Sequence, residues 1–288
     1  MARLAVAIVG PGRVGTALWL ALQGHVELLG AAGGSKAAQD LFRRRTGVPA
    51  SSSVTVLCQA ADWVFLTVPD RAVAPLAAEL GAAGAFHPGQ TVVHTAGALP
   101  SAVLSPAQAS GAEVLALHPM QSFADPERGP ALFQGITCSL EGTPRARQAG
   151  EALARTLGMH PWQVEPEDKL RLHAACSLAS NALVALLSVA ASTAAGSDDA
   201  TKRQQALQAL LPLSLGSVEN LGRLGLPKAL TGPIERGDTA TVQAHLDLLQ
   251  GLSEEVYRTL GRAAVALARE KGSIPTGEAG RLGAMLRR

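Results

Sequence analysis

The chain has 288 residues, with 25 lysines and arginines against 23 aspartates and glutamates and a formal net charge of +2. That length holds one large domain or two medium ones, and nothing in the charge balance marks a polyanion binder. Aromatic residues at 3% argue against a stacking platform for single-stranded nucleic acid, so nucleic acid is not an expected partner.

Taken in chain order, "MARLAVAIVG" opens with an apolar run too short for a signal peptide and ends in a glycine turn, so residues Leu4 to Val9 read as a first strand. The turn continues as "GPGRVG", with Gly10, Gly12 and Gly15 in GxGxxG register ahead of a helical pattern from Arg13 to Gln23. Strand, glycine loop and helix in that order are what a dinucleotide pyrophosphate needs: a tight turn, close backbone approach and a helix N-terminus. Gly10, Pro11, Gly12, Arg13, Val14 and Gly15 are therefore candidate cofactor residues, Arg13 adding a cation or else being a solvated helix start.

A second strand, Val26 to Ala31, leads into "GAAGGSK" rather than the acid that holds an NAD ribose. Glu27 lies inside that strand and Asp40 inside the next helix, Lys36 to Arg45, so neither is well placed. Ser35, Lys36 and Arg43 are positioned to receive a 2′-phosphate, unless the basic pair is plain helix surface. NADP is the expected cofactor, with NAD as the alternative.

Further strands follow at Trp63 to Val68, Thr91 to Thr95, Val114 to Leu117, Gly135 to Leu140 and Trp162 to Val164, with helices at Ala72 to Leu80 and Arg145 to Leu157. Strands alternating with helices imply crossover units and a parallel sheet, an α/β fold class. Ligands collect at the carboxyl ends of such strands, which nominates Val68, Pro69, Asp70 and Thr95 as cofactor contacts and places His118 of "LALHPMQSF" at the cleft. His118 has a second reading of equal weight, a capped turn histidine without chemistry.

After about residue 166 the strand signals stop and long Ala/Leu helices take over, which sets the expected boundary between an α/β domain at 1–165 and an all-α domain at 166–288. On the helix in "EDKLRLHAACSLASNALV", Lys169, His173, Cys176, Ser177, Ser180 and Asn181 fall on one side at about 100° per residue. A polar stripe on an otherwise apolar helix is costly to bury without partners and makes sense facing a polar cleft. The segment 174–195 has the length of a membrane span, but its serines, asparagine and many alanines favour a helix buried in a core or dimer interface, with no membrane partner. "LGRLGLPKALTGPIERGD" reads as a helix–helix connection with order of its own. Cys58, Cys138 and Cys176 stand far apart with no ligand spacing, so no metal is expected and a reducing, cytoplasmic setting fits.

Together "GPGRVGTAL", "VPDRAV", "HTAGAL", "LHPMQSFAD", "HAACSLASNALVAL" and "ALTGPIERGD" resemble a family of bacterial Rossmann oxidoreductases whose helical C-terminal domain was long labelled as of unknown function. The family is similar to the 6-phosphogluconate dehydrogenase-like group, and some members look like alternative ketopantoate reductases. The resemblance implies a Rossmann dinucleotide-binding domain followed by a helical substrate and dimerisation domain. It also implies that a helix lysine protonates the substrate oxygen, with an asparagine four residues on orienting it. Lys169 matches the lysine, His173 stands where the asparagine would be, and Asn181 is an alternative two turns on. Ala96 departs from the expected serine, and Gly34 from the expected arginine for the 2′-phosphate.

The expectation is an NADP-dependent oxidoreductase acting on a small oxo or hydroxy acid, with Lys169, His173, His118 and Asn181 as catalytic candidates. Ser177, Ser180, Thr231 and Arg236 are substrate-contact candidates, the last two from the same subunit or from the second subunit of a homodimer. A prephenate dehydrogenase-like enzyme and a non-catalytic NADP-binding sensor are the alternatives.

Overall fold

The structure is a computed structural model and describes residues 4–50, 53–197 and 199–287. The chain forms two compact units, Met1–Leu178 and Ala179–Arg288. The first contains one seven-stranded sheet: β1 (Ala5–Val9), β2 (Glu27–Ala32), β3 (Trp63–Leu66), β4 (Thr91–His94), β5 (Glu113–Pro119), β6 (Thr137–Gly142) and β7 (His160–Gln163), in the spatial order β2-β1-β3-β4-β5-β6-β7. Its helices are α1 (Arg13–Leu22), α2 (Lys36–Thr46), α3 (Val54–Gln59), α4 (Asp70–Ala82), α5 (Ser105–Ala109), α6 (Pro144–Thr156) and α7 (Lys169–Ala179).

The central strands are apolar on both faces because helices cover both. On one side Val6, Ile8, Phe65, Leu115, Leu117 and Leu140 pack with Trp19 and Phe42. On the other, Ala7, Val9, Val64, Leu66, Val92 and Val114 form a second core. Strands β1 to β5 are parallel, as the alternating pattern predicts, but β6 runs antiparallel to β5 and β7 parallel to β6. The all-parallel expectation is corrected there. The link from β5 to β6 carries only short 3₁₀ turns at Pro126–Leu132, and an antiparallel return needs no crossover helix.

That register matters for chemistry. His94 lies beside Ala116, Ala116 beside Glu141, and His118 beside Ser139. Side chains two residues apart share a face, so His94, His118, Ser139 and Glu141 continue the face that carries Val92 and Val114. An apolar core gives way to a polar patch along one side of the sheet.

The first unit extends past the expected boundary at 165, through Leu178, because the first turns of α7 pack into it. Lys169 is 1% exposed, and His173 sits against Gly97. The sequence predicts one helix over 167–184; the structure instead ends α7 at Ala179 and starts α8 (Asn181–Ala195) after Ser180, whose ψ of −73 departs from helical geometry at φ −118. The remaining helices are α9 (Ala200–Leu224), α10 (Thr239–Leu248), α11 (Leu252–Lys271) and α12 (Thr276–Met285).

The second unit has its own core, Ile234, Val242, Leu246, Val265, Leu282 and Leu286. Two helices stay largely outside it. In α8 only Ala191 is buried, and in α9 no residue is. Val184 is 71% exposed and Leu213 70%. A helix buried in the chain's own core is therefore not what 174–195 forms. The connection at 225–238 is ordered as expected: Asp238 caps α10 through Thr241 N–H at 3.0 Å, and Lys271 pairs with Glu235 at 2.7 Å.

Candidate active site

The glycine loop follows β1 directly. Gly10 has φ +100, where a side chain is strained, and a Cβ there would also meet Thr67 and Val68 at 2.8–2.9 Å. Gly15 is crowded for a different reason: a Cβ would lie 2.4 Å from the Gly10 carbonyl oxygen and 2.6 Å from Thr67 Oγ1. Thr67 locks the loop by donating its hydroxyl proton to Gly10 O at 2.7 Å. Gly12 is the opposite case, since a Cβ there would meet nothing within 4 Å. Intrahelical bonding begins with Thr16 N–H to Gly12 O at 2.8 Å, so the amides of Arg13, Val14 and Gly15 precede the first helical bond of α1. Such amides and open space above Gly12 fit a pyrophosphate. Packing sets Gly10 and Gly15; the open site sets Gly12.

At the end of β2 no carboxylate is positioned for a ribose. Glu27 opens the strand beside Ala5, at the far end from the loop. Asp40 sits one turn into α2, 3.2 Å from Lys36 and 3.8 Å from Arg43. Ser35 caps α2 by accepting from Ala38 N–H at 3.3 Å, leaving its own hydroxyl proton to donate. Gly34 has φ +77, and a Cβ would stand 3.1 Å from Pro11 of the glycine loop. A side chain there would be strained by the positive φ and crowded against Pro11, which disfavours an arginine.

Further along the same strand ends, the polar patch gathers. Lys169, His94 and Glu141 are all buried, at 1%, 0% and 6% exposure. Glu141 accepts two hydrogen bonds from one residue, from Ser101 N–H at 2.5 Å and from the Ser101 hydroxyl at 2.7 Å. His94 Nε2–H donates to Pro100 O at 3.2 Å. The loop between β4 and the 3₁₀ turn Ser101–Leu104 is thus gripped at adjacent residues. In that loop, Gly97 brings bare backbone against two imidazoles: a Cβ would fall 2.4 Å from His173 Nδ1 and 2.8 Å from His118 Cε1. The rings of His118 and His173 stand edge to face with centroids 5.8 Å apart.

Four buried nitrogens here have no hydrogen-bond partner among the described residues: Lys169 Nζ and the Nδ1 atoms of His94, His118 and His173. Buried polar groups are rarely left so. Burial holds His94 at about 4, against the bond to Pro100 and aided by the charge of Lys169 and by His118. Burial likewise brings His118 to about 4, with Lys169 and His173 adding to the effect. Both are neutral imidazoles at pH 7. Burial also lowers the Lys169 ammonium, while Glu141 and then Asp70 oppose that fall. An ammonium with open donors beside neutral imidazoles is suited to a carbonyl oxygen gaining negative charge.

The structure brings together Lys169, His173 and His118 of the expected catalytic set. Asp70 starts α4 directly after Pro69, beyond Val68, and Thr95 follows His94, so both lie at carboxyl strand ends as expected. Ser177 is exposed on α7 and Cys176 half-buried; neither has a bond to the patch. Asn181, Thr231 and Arg236 are exposed in the second unit and Ser180 half-buried at its start. The stripe is not continuous: Cys176 and Ser177 already leave the patch within α7, and the helix then breaks at Ser180.

Five residues escaped sequence reasoning: Thr67, His94, Gly97, Ser101 and Glu141. Two had a signal. An acid inside the apolar strand "TCSLEG" and a histidine ending "TVVH" are each expensive to bury, which points to a purpose. Ala96, where a serine is expected, joins the apolar core behind β4.

Comparison with known proteins agrees with this architecture. Residues 1–119 match a Rossmann-like domain model, and residues 136–264 match a domain of unknown function, DUF2520. The two-part organisation implied by the sequence motifs is therefore present. A sequence search of curated proteins finds no match. Among solved structures, a Bacteroides fragilis protein provisionally named an NADP oxidoreductase is 20% identical at TM-score 0.71, covering 93% of this chain and 97% of that one. A Thermotoga maritima protein is 22% identical at TM-score 0.60, covering 98% and 100%. A Plasmodium falciparum pyrroline carboxylate reductase with NADP bound is 12% identical at TM-score 0.59, covering 99% of each chain. At such identities the likeness is one of fold.

Proposed function

We propose that this chain, which joins a Rossmann-like domain to a DUF2520 domain, is an NADP(H)-dependent oxidoreductase acting on a small oxo or hydroxy acid. One observation carries the reading: a buried, unpartnered Lys169 side chain whose charge acts on His118, with His173 against that ring, all in the same compact unit as a glycine loop built for a pyrophosphate. Gly10 to Gly15 would hold the pyrophosphate, and Ser35 with Lys36 the 2′-phosphate. Lys36 is 81% exposed in its side chain, so it can leave Asp40 at little cost. The preference for NADP over NAD rests on the missing ribose acid, and the NADP-bound pyrroline carboxylate reductase is a supporting fold relative.

When bound, a nicotinamide cofactor supplies the hydride. The chain's own part is the proton. Lys169 Nζ donates to the substrate oxygen as negative charge grows on it, and the lysine is then left as a neutral amine. His173, one turn on, orients that donor. His118 holds the substrate or the cofactor amide with a neutral ring. A substrate carboxylate would accept from Lys169 Nζ and from a protonated ring nitrogen of His118 or His173, which is why an acid is the favoured class.

The chain is further read as a homodimer, because the apolar faces of α8 and α9 are uncovered within it. The test is a panel of 2-oxo acids with NADPH, comparing the wild type with Lys169→Ala. Consumption lost in the variant supports the reading. A wild type that binds NADPH tightly yet reduces nothing would instead mark a cofactor sensor.

A further inference from the structure

The buried patch contains one anion, and its placement is deliberate in the sense that every bond it makes is made by a single residue. We propose that Glu141 is the positioning residue of this site: its carboxylate keeps the buried Lys169 ammonium charged, and its two bonds to Ser101 fix the loop that lays Gly97 against His118 and His173. The proposal rests on the reading of Lys169 as the proton donor only for its consequence in turnover.

Three observations carry it. Glu141 is 6% exposed and has both oxygens satisfied by Ser101, through backbone N–H and hydroxyl, with no cation bonded to it among the described residues. A buried carboxylate is costly, so one answered only by neutral donors leaves its charge to act on its surroundings. The strand register puts Glu141 on the face of His94, His118 and Ser139, and Lys169 Nζ is buried without a partner of its own. Finally, Ser101 and Pro100 are adjacent, and the loop they end is held from two strands, by Glu141 on β6 and by His94 on β4. Losing one grip loosens Gly97 between the imidazoles, so Glu141 acts on the site through geometry as well as charge.

Lys169 feels Glu141 from β6 and Asp70 from α4, its charge is felt in turn by His94 on β4 and His118 on β5, and His173 stands one turn further along its own helix. Burial pulls the ammonium down, and the Glu141 carboxylate is the main charge holding it up. Asp70 is exposed, so water screens it. Removing the Glu141 charge therefore favours the neutral amine and moves loss of the donor to lower pH.

The chain has only five lysines, Lys36, Lys169, Lys202, Lys228 and Lys271, so lysine labelled with ¹³C at Cε gives a resolvable spectrum of the intact protein. Lys169→Arg assigns its signal. In Glu141→Gln, which keeps the side chain's shape, the Lys169 titration is expected to move down, and turnover at pH 9 to fall roughly tenfold further than at pH 6. In Ser101→Ala the carboxylate loses a donor but not its charge, so the Lys169 titration moves up. An unmoved Lys169 signal in Glu141→Gln overturns the proposal. Should that variant not fold, a Lys169 signal that stays put or moves down in Ser101→Ala overturns it equally. If the signal moves as expected while Lys169→Ala retains full turnover, the donor role fails and the hold of Glu141 on the charge stands.

Discussion

At the scale of single residues, the site is a problem in solvation. Four nitrogens have given up water without gaining a protein partner, a state that is stable only if the rest of the fold enforces it or a ligand completes it. Loss of a transition-state donor costs about a hundredfold or more in turnover. Lys169→Ala and His173→Ala should each lose that much with near-normal NADPH affinity, and His118→Ala should also raise the Michaelis constant; steady-state kinetics and cofactor fluorescence separate the effects. The histidines also make a pH prediction. His94 stands near 4 when folded but near 6.5 when unfolded, so acid protonates the unfolded chain first. Its contribution is intact above about pH 6.5 and is lost as pH falls towards 4, an effect of about 3 kcal/mol. Thermal midpoints measured from pH 7 to 4 should fall accordingly, and His94→Gln should flatten that slope.

At the scale of elements, the glycine loop separates folding from binding. Gly15→Ala drives a methyl into the Gly10 carbonyl and should cost about 2–3 kcal/mol of stability. Gly12→Ala meets open space and has φ −78, so its melting temperature should be unchanged while NADPH affinity drops at least tenfold. If Gly12→Ala binds NADPH normally, the pyrophosphate does not sit there. This loop was legible in the sequence because its chemistry is local, as were all seven strands, the central ones through apolar runs buried on both faces. The short helix α3 was not, since "VTVLCQ" is β-branched and apolar and carries no helical signature. The antiparallel β6 was invisible for a related reason: direction depends on the connection, not on the strand's own residues. Glu141 and Ser101 are 40 positions apart, and no local pattern joins them. Ser180 interrupts a helix that periodicity alone would continue, so the stripe could not reach Asn181 unbroken.

At the scale of the whole molecule, exposed leucines and valines on α8 and α9 are too many to leave in water. A homodimer burying residues around Ala182 to Ala195 is expected, and light scattering at micromolar concentration should report twice the 29.5 kDa chain mass. Val184→Asp should shift that mass towards the monomer. Cofactor choice belongs to this scale too, because on this proposal a 2′-phosphate would be read where β2, α2 and the glycine loop meet. NADPH should bind at least tenfold more tightly than NADH, and equal or reversed affinities would remove the argument from the missing acid. The central claim, that a buried lysine on the cofactor-binding unit protonates a substrate reduced by NADPH, is tested most directly by single-turnover kinetics. Enzyme preloaded with NADPH is mixed with the best 2-oxo acid of the panel, and NADPH oxidation is followed in wild type and Lys169→Ala. The account predicts a single-turnover rate at least a hundredfold slower in the variant with unchanged NADPH affinity; equal rates would contradict it.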